Sequence, residues 1–236
     1  MGGQNGQSGR TAADSFAWAA ECPKTASTTL ARPVGGFTKR SFDVTLIVAG
    51  FILLWPLLLL IALLVRSSGP GPVIYRHKRI GYGGREFSCL KFRTMSVDGE
   101  RILEEHFRQF PDARKEWQES RKLRHDPRIT RIGSFLRKSS LDELPQLLNI
   151  LCGDMSLVGP RPVVRDELVM YGPSAAHYLR ARPGLTGAWQ ISGRSDTTYS
   201  ERIALDADYV LRWSFISDLN IVVRTVPAVV FASGSR

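Results

Sequence analysis

Two adjacent carboxylates with cations on either side are the residues in this chain with the plainest chemical use. Asp142 and Glu143 stand between Ser139-Ser140 and Pro145, with Lys138 and Arg137 four and five residues ahead of Asp142. Arg161 follows in a tight Gly159-Pro160-Arg161-Pro162 turn. An acidic pair ringed by cations suits a magnesium-bound pyrophosphate. One carboxylate holds Mg2+, the cations balance phosphate oxygens, and a helix N-terminus favours the incoming anion. A plainer reading competes: Ser140-x-x-Glu143 is a capping box, acids in a first turn are favoured by the helix dipole, and Pro145 fits that turn. Capping explains the acids but not the cations gathered around them.

The elements that must hold these groups can be read from patterning. PVIYRHKRIG and REFSCLKFRTM, joined through Tyr82-Gly83-Gly84, read as two strands and a glycine turn. Lys91 and Arg93 alternate with Leu90 and Phe92, so both basic groups leave one face of the second strand. That face is either solvated or phosphate-binding. Asp98 to Phe110 and Asp112 to Leu123 read as charged surface helices split by Pro111, without a catalytic role. Farther on, Arg182 to Gly187 reads as a loop and AWQIS as a short strand. There Trp189 and Gln190 could stack on and hydrogen-bond a planar base and Arg194 could meet a phosphate, although a Trp in such a strand is more often core. Tyr199 to Trp213 reads as a helix with Ile203, Ala204, Ala207, Val210 and Leu211 on its apolar face. Phe215 to Phe231, interrupted by Asp218, Arg224 and Pro227, reads as an amphipathic helix lying at a membrane interface.

A membrane is called for by Val44 to Val65, an uncharged run long enough, at 1.5 Å per helical residue, to cross a hydrocarbon core of roughly 30 Å. Trp55-Pro56 sits near its centre, where proline removes a backbone hydrogen bond. Lys39 and Arg40 precede the run and Arg66, Arg76, Lys78 and Arg79 follow it. With both flanks basic, both ends belong on the cytoplasmic face, and the run reads as a helix that enters, breaks at Trp55-Pro56 and returns. A single kinked span is the alternative. Asp43 belongs at headgroup depth, with Lys39, Arg40 and Arg66 at the same interface.

Bulk properties agree. The 236 residues carry a formal charge of +10, and Arg76 to Lys138 hold 17 Lys and Arg against 9 Asp and Glu. Beside an apolar anchor, such an excess suits anionic headgroups or phosphorylated substrates rather than nucleic acid. Cys22, Cys89 and Cys152 form no C-x-x-C pair, which fits a reducing cytoplasm. Residues 1 to 36, rich in Gly, Ala, Ser and Thr, read as a disordered tail with a short helix around Asp14 to Glu21, not as a signal peptide.

KRSFD (Lys39 to Asp43), KFRTM (Lys91 to Met95), DPRITRIGSFLRKSSLDELPQLLNIL, GDMSLVGPRP and ARPGLTGAWQISGR follow in the order seen in the bacterial sugar transferases. The chain resembles these monotopic phosphoglycosyl transferases over Phe37 to Arg236. The resemblance implies transfer of hexose-1-phosphate from a UDP-hexose to polyprenyl (undecaprenyl) phosphate, with release of UMP, as the priming step of exopolysaccharide synthesis. It implies Asp142 as a nucleophile forming an aspartyl-phosphosugar, Glu143 as the Mg2+ ligand, and Arg137 and Arg161 as holders of phosphate and nucleotide. It further implies the cytoplasmic face of the bacterial inner membrane, the form without the extra spans of longer members, and leaves a homodimer open. The expected fold is α+β: a tail (1–36), a re-entrant helix-break-helix hairpin (37–68), and a small, mostly helical cytoplasmic domain (69–236) with a short β element and interfacial amphipathic helices. The rival functional reading is a membrane-tethered basic module that binds anionic lipid or phosphorylated ligands without catalysis.

Overall fold

The computed structural model describes residues 32–120, 123–192 and 197–230. The expected tail and its short helix lie outside these residues except for positions 32–36, and Arg194 lies outside them altogether. The described chain is mixed and mostly helical. Helix α1 (Gly36–Ser67) leads into an antiparallel hairpin of β1 (Ile74–Ile80) and β2 (Glu86–Phe92), then α2 (Gly99–Gln109) and α3 (Pro111–Ser120). Next come α4 (Arg131–Lys138), α5 (Gln146–Cys152), β3 (Ser156–Val158), α6 (Arg165–Met170), α7 (Ala175–Tyr178) and β4 (Gly184–Thr186). The chain ends in α8 (Ala188–Ile191), α9 (Tyr199–Leu211) and α10 (Phe215–Val230). The hairpin forms where alternation predicts it, in register from Ile74 opposite Phe92 to Ile80 opposite Glu86. β3 and β4 form a second, parallel pair, so a strand stands inside the segment expected as a loop. AWQIS is one helical turn rather than a strand. Once Gly184–Thr186 pairs with β3, the strand ends before Ala188.

α1 is 32 residues long, and its most apolar stretch, of mean hydropathy 2.9, has only 11% of its residues buried. It is long and apolar enough to cross a membrane and, unlike the core helix of a soluble protein, it keeps that surface exposed. The helix runs through Trp55-Pro56 as one element, with no second helix beginning there. Proline removes only the bond to the carbonyl of Ile52, and the turns on either side remain helical. One stripe faces inward: Lys39, Asp43, Ile47, Ile61 and Val65 are buried, while Ile52, Leu53, Trp55, Leu59 and Leu63 are exposed.

Both ends of α1 are fastened to the same compact unit. Lys39 donates to Asp218 at 2.5 Å, and Asp218 also accepts from Tyr209 Oη at 2.7 Å and Trp213 Nε1 at 2.9 Å. Arg40 donates to the carbonyls of Ile150 and Leu151, the end of α5. Asp43 accepts from Ser156 Oγ at 2.7 Å and from the Leu157 amide. At the far end Arg93 donates to the carbonyls of Val65, Gly69 and Pro70, closing α1. Lys39, Arg40 and Asp43, expected at the lipid headgroups, are therefore domain contacts. Buried charges need partners, and an α10 acid and α5 carbonyls supply them. Arg66 is exposed.

The inward stripe joins two of the apolar clusters. Ile47 packs with Cys89, Leu147, Ile150 and Met155; Ile61 and Val65 pack with Phe92 and Leu136. α9 turns only part of the expected face inward: Val210 is buried and Ile203 packs on the core, but Ala204 and Leu211 are exposed while Arg202, Asp206 and Tyr209 are buried. An apolar-stripe reading assumes that polar side chains face water, and here Arg202 and Asp206 do not.

Candidate active site

The carboxylate pair is built by three local devices. Ser140 sits at φ 57°, the one left-handed non-glycine residue among those described, and reverses the chain after α4. Leu141–Glu143 then form a single 3-10 turn, and α5 starts only at Gln146. The expected capping box is not made: Ser140 gives no side-chain cap, and Glu143 turns instead to Lys91. Asn149 of α5 fixes the turn against β2, accepting from the Leu90 amide at 2.9 Å and donating to the Ser88 carbonyl at 2.8 Å. β2 then presents Lys91 to Glu143, Nζ to Oε1, at 2.6 Å.

Asp142 is 8% exposed. Among the described residues no ion pair or side-chain hydrogen bond reaches its carboxylate. Burial raises its pKa above the ordinary aspartate value; Lys91 and Arg137 pull it down and Glu143 pushes it up. The result is a buried, under-solvated carboxylate with two cations in electrostatic range, a sound arrangement for a nucleophile toward phosphorus.

Arg137 is held by packing. On α4, a Cβ at Gly133 would stand 2.0 Å from the Thr94 carbonyl oxygen, so only glycine lets that helix lie on the end of β2. In that position Arg137 Nε donates to Thr94 Oγ1 at 2.9 Å. Arg161 comes from a second close approach: Gly159 donates to Thr186 O at 2.9 Å and Gly184 to Pro160 O at 2.8 Å. A Cβ at Gly184 would meet the Gly159 amide nitrogen at 2.1 Å. The Arg161 guanidinium lies 5.2 Å from the Trp189 ring centroid. Burial lowers its pKa, with Glu143 and Glu167 opposing and Arg202 and Arg79 adding to the effect.

Lys91, Arg137, Asp142, Glu143 and Arg161 thus share one electrostatic neighbourhood. Arg93 belongs to the end of α1 instead, and Gln190 lies beside the Arg161 loop, near the place a Cβ on Gly187 would occupy. Sequence reasoning missed Arg202, whose guanidinium lies 5.0 Å from the Trp189 centroid, and Arg79, which bonds Glu167 at 3.2 Å. The Arg202/Asp206 spacing of four resembles an exposed helix pair, and nothing in the sequence shows that it faces inward. A cleft of 260 Å³ lined by His77, Arg79, Glu86 and Arg165 contains neither carboxylate of the pair. No cluster of three or more metal-type ligands occurs among the described residues.

Comparison with known proteins adds an independent line. The exopolysaccharide production protein ExoY of Rhizobium meliloti (strain 1021) is 57% identical over 204 residues, 86% of this chain and 90% of that protein. A UDP-galactose-lipid carrier transferase of Erwinia amylovora is 47% identical over 209 residues, 89% of this chain and 44% of that protein. A UDP-glucose:undecaprenyl-phosphate glucose-1-phosphate transferase of Xanthomonas campestris pv. campestris is 44% identical over 191 residues, 78% of this chain and 37% of that protein. A family model described as bacterial sugar transferase matches residues 34–232, which contain the carboxylate pair, its cations and both ends of α1; the chain belongs to the bacterial sugar transferase family.

Proposed function

We propose that this transferase moves hexose-1-phosphate from a UDP-hexose to polyprenyl (undecaprenyl) phosphate in two steps, with Asp142 as the nucleophile. In the first, an Asp142 carboxylate oxygen bonds to the sugar-side phosphorus, the bond from that phosphorus to the bridging oxygen breaks, and UMP leaves with the electron pair. In the second, a lipid phosphate oxygen attacks the same phosphorus and frees Asp142, so the anomeric centre is not touched. The observation that carries this reading is the Asp142 carboxylate: buried, unpaired among the described residues, and faced by Lys91 and Arg137. The names of the relatives support the substrate class. Those named for galactose and for glucose stand at 47% and 44% identity, so the donor is assigned as a UDP-hexose and no further.

Two neighbouring carboxylates fit Mg2+, which takes one or two carboxylates and completes its shell with water and substrate phosphate. Glu143 would hold it beside the nucleophile, and bound there it would neutralise phosphate charge. The rival reading, a binding module whose acids only cap a helix, loses support because Ser140 makes no cap.

Re-entry of α1 is supported by the attachment of both its ends to one unit. Its exposed apolar face continues through Phe42, which meets Phe215 edge-on at 5.0 Å, to Ile216, Leu219 and Val223 of α10. On this reading α1 dips into the cytoplasmic leaflet of the inner membrane, α10 lies on it, and Asp142 works at headgroup depth. The test of function is Asp142→Asn assayed for UMP release from UDP-galactose and UDP-glucose with polyprenyl phosphate. Activity should be lost, and retained turnover would sink the mechanism.

A further inference from the structure

We propose that Arg202 is the seat of the nucleoside-side phosphate of the donor, gripping the group that leaves as UMP. This deepens the two-step reading above and rests on it. Arg202 is 8% exposed, and its Nε and Nη2 have no hydrogen-bond partner among the described residues. Those two nitrogens form the side-on edge of the guanidinium, the pair that meets two oxygens of one phosphate. Buried donors left unmatched are costly and uncommon in native structures. Asp206, which feels the Arg202 charge, does not match them. Asp206 accepts from Tyr171 Oη at 2.8 Å and from the Arg161 amide, and makes no ion pair with Arg202.

Position distinguishes the roles of the two arginines. Trp189 stands beside both guanidinium groups, 5.2 Å from Arg161 and 5.0 Å from Arg202, so their centres are at most about 10 Å apart. Glu143 is the first of the charges that act on Arg161, and Arg202 is the next. Arg161 thus links the carboxylate pair to Arg202, the two arginines sharing the Trp189 ring. A diphosphate spanning that link puts its sugar-side phosphorus near Asp142 and its nucleoside-side phosphate toward Arg202. As the bridging bond breaks, charge builds on that second phosphate, and a fixed two-donor fork stabilises it. Tyr199, 5.2 Å from the same guanidinium, stacks on Arg202 and keeps the fork oriented.

The two half-reactions separate this role from a structural one. In the full-length protein in nanodiscs, Arg202→Met should slow adduct formation and UMP release on the order of 100-fold. Discharge of preformed adduct by polyprenyl phosphate, which no longer involves the nucleotide, should stay within about twofold. UMP, used as a probe of the site through Trp fluorescence, should bind at least about tenfold more weakly. If Arg202→Met does not fold, Arg202→Lys decides the matter, since it keeps the charge but loses the fork and should show the same one-sided loss. Equal loss in both half-reactions, or unchanged UMP affinity, overturns the assignment and leaves the two-step reaction standing. A wild-type protein that neither releases nor binds UMP overturns both.

Discussion

Asp142 combines two properties that pull against each other. Its folded pKa lies above the ordinary aspartate value because it is buried, so the folded state holds the proton more tightly than the unfolded chain does. Stability then falls as pH rises through that interval and stays lower above it, where the carboxylate is ionised. Asp142→Asn should therefore raise the thermal midpoint at neutral pH while abolishing UMP release, the usual exchange between activity and stability at a strained site. Scanning calorimetry of the two proteins checks it; a lower midpoint for the Asn variant contradicts the burial argument. The same shift sets a pH limb. Attack requires the ionised form, so adduct formation should fall off on acidification around a pKa higher than that of a free aspartate. Lys91 is the largest influence holding that pKa down. Lys91→Met should move the limb to higher pH, read from pH–rate profiles of the first half-reaction. A limb that stays in place would remove Lys91 from the electrostatics of Asp142.

At the scale of elements, the site depends on where α1 begins. Lys39 is 6% exposed and Asp218 is fully buried, and their contact joins α1 to α10. Lys39→Met leaves Asp218 with only the neutral donors of Tyr209 and Trp213 and an uncompensated buried charge, a loss of about 3–5 kcal/mol. A midpoint unchanged in denaturant unfolding of that variant would show that the pair contributes nothing. The hairpin and helices α2, α3, α9 and α10 were legible in the sequence because their period and turn residues are local properties. α9's orientation was not. Its inward face carries Arg202 and Asp206, which are tolerated inside because Trp189, Tyr199 and Tyr171 surround them.

For the whole molecule, what matters is how the apolar surfaces of α1 and α10 are arranged around the site. α1 and α10 expose adjoining apolar surfaces, and both ends of α1 return to one unit, so residues at its two ends should lie on the same side of the membrane. Single-cysteine variants Phe37→Cys and Ser67→Cys, treated with an impermeant maleimide in oriented vesicles, should both react only from the cytoplasmic side. Labelling from opposite sides means a span and would separate the donor's compartment from any re-entrant arrangement.

The sequence alone carried the acidic pair, the basic residues before and after it, and an apolar run long enough to cross a membrane. Those are matters of composition and short spacing, which act before any tertiary contact exists. Tertiary structure decided how the charges are used. Lys39, Arg40 and Asp43 could equally have met headgroups, but partners 110 or more positions away hold them instead. Glu143 turns to Lys91 rather than to a cap, and Arg93 closes α1. A charged side chain's role follows from which opposite group can reach it out of water, and for these residues that group lies far along the chain.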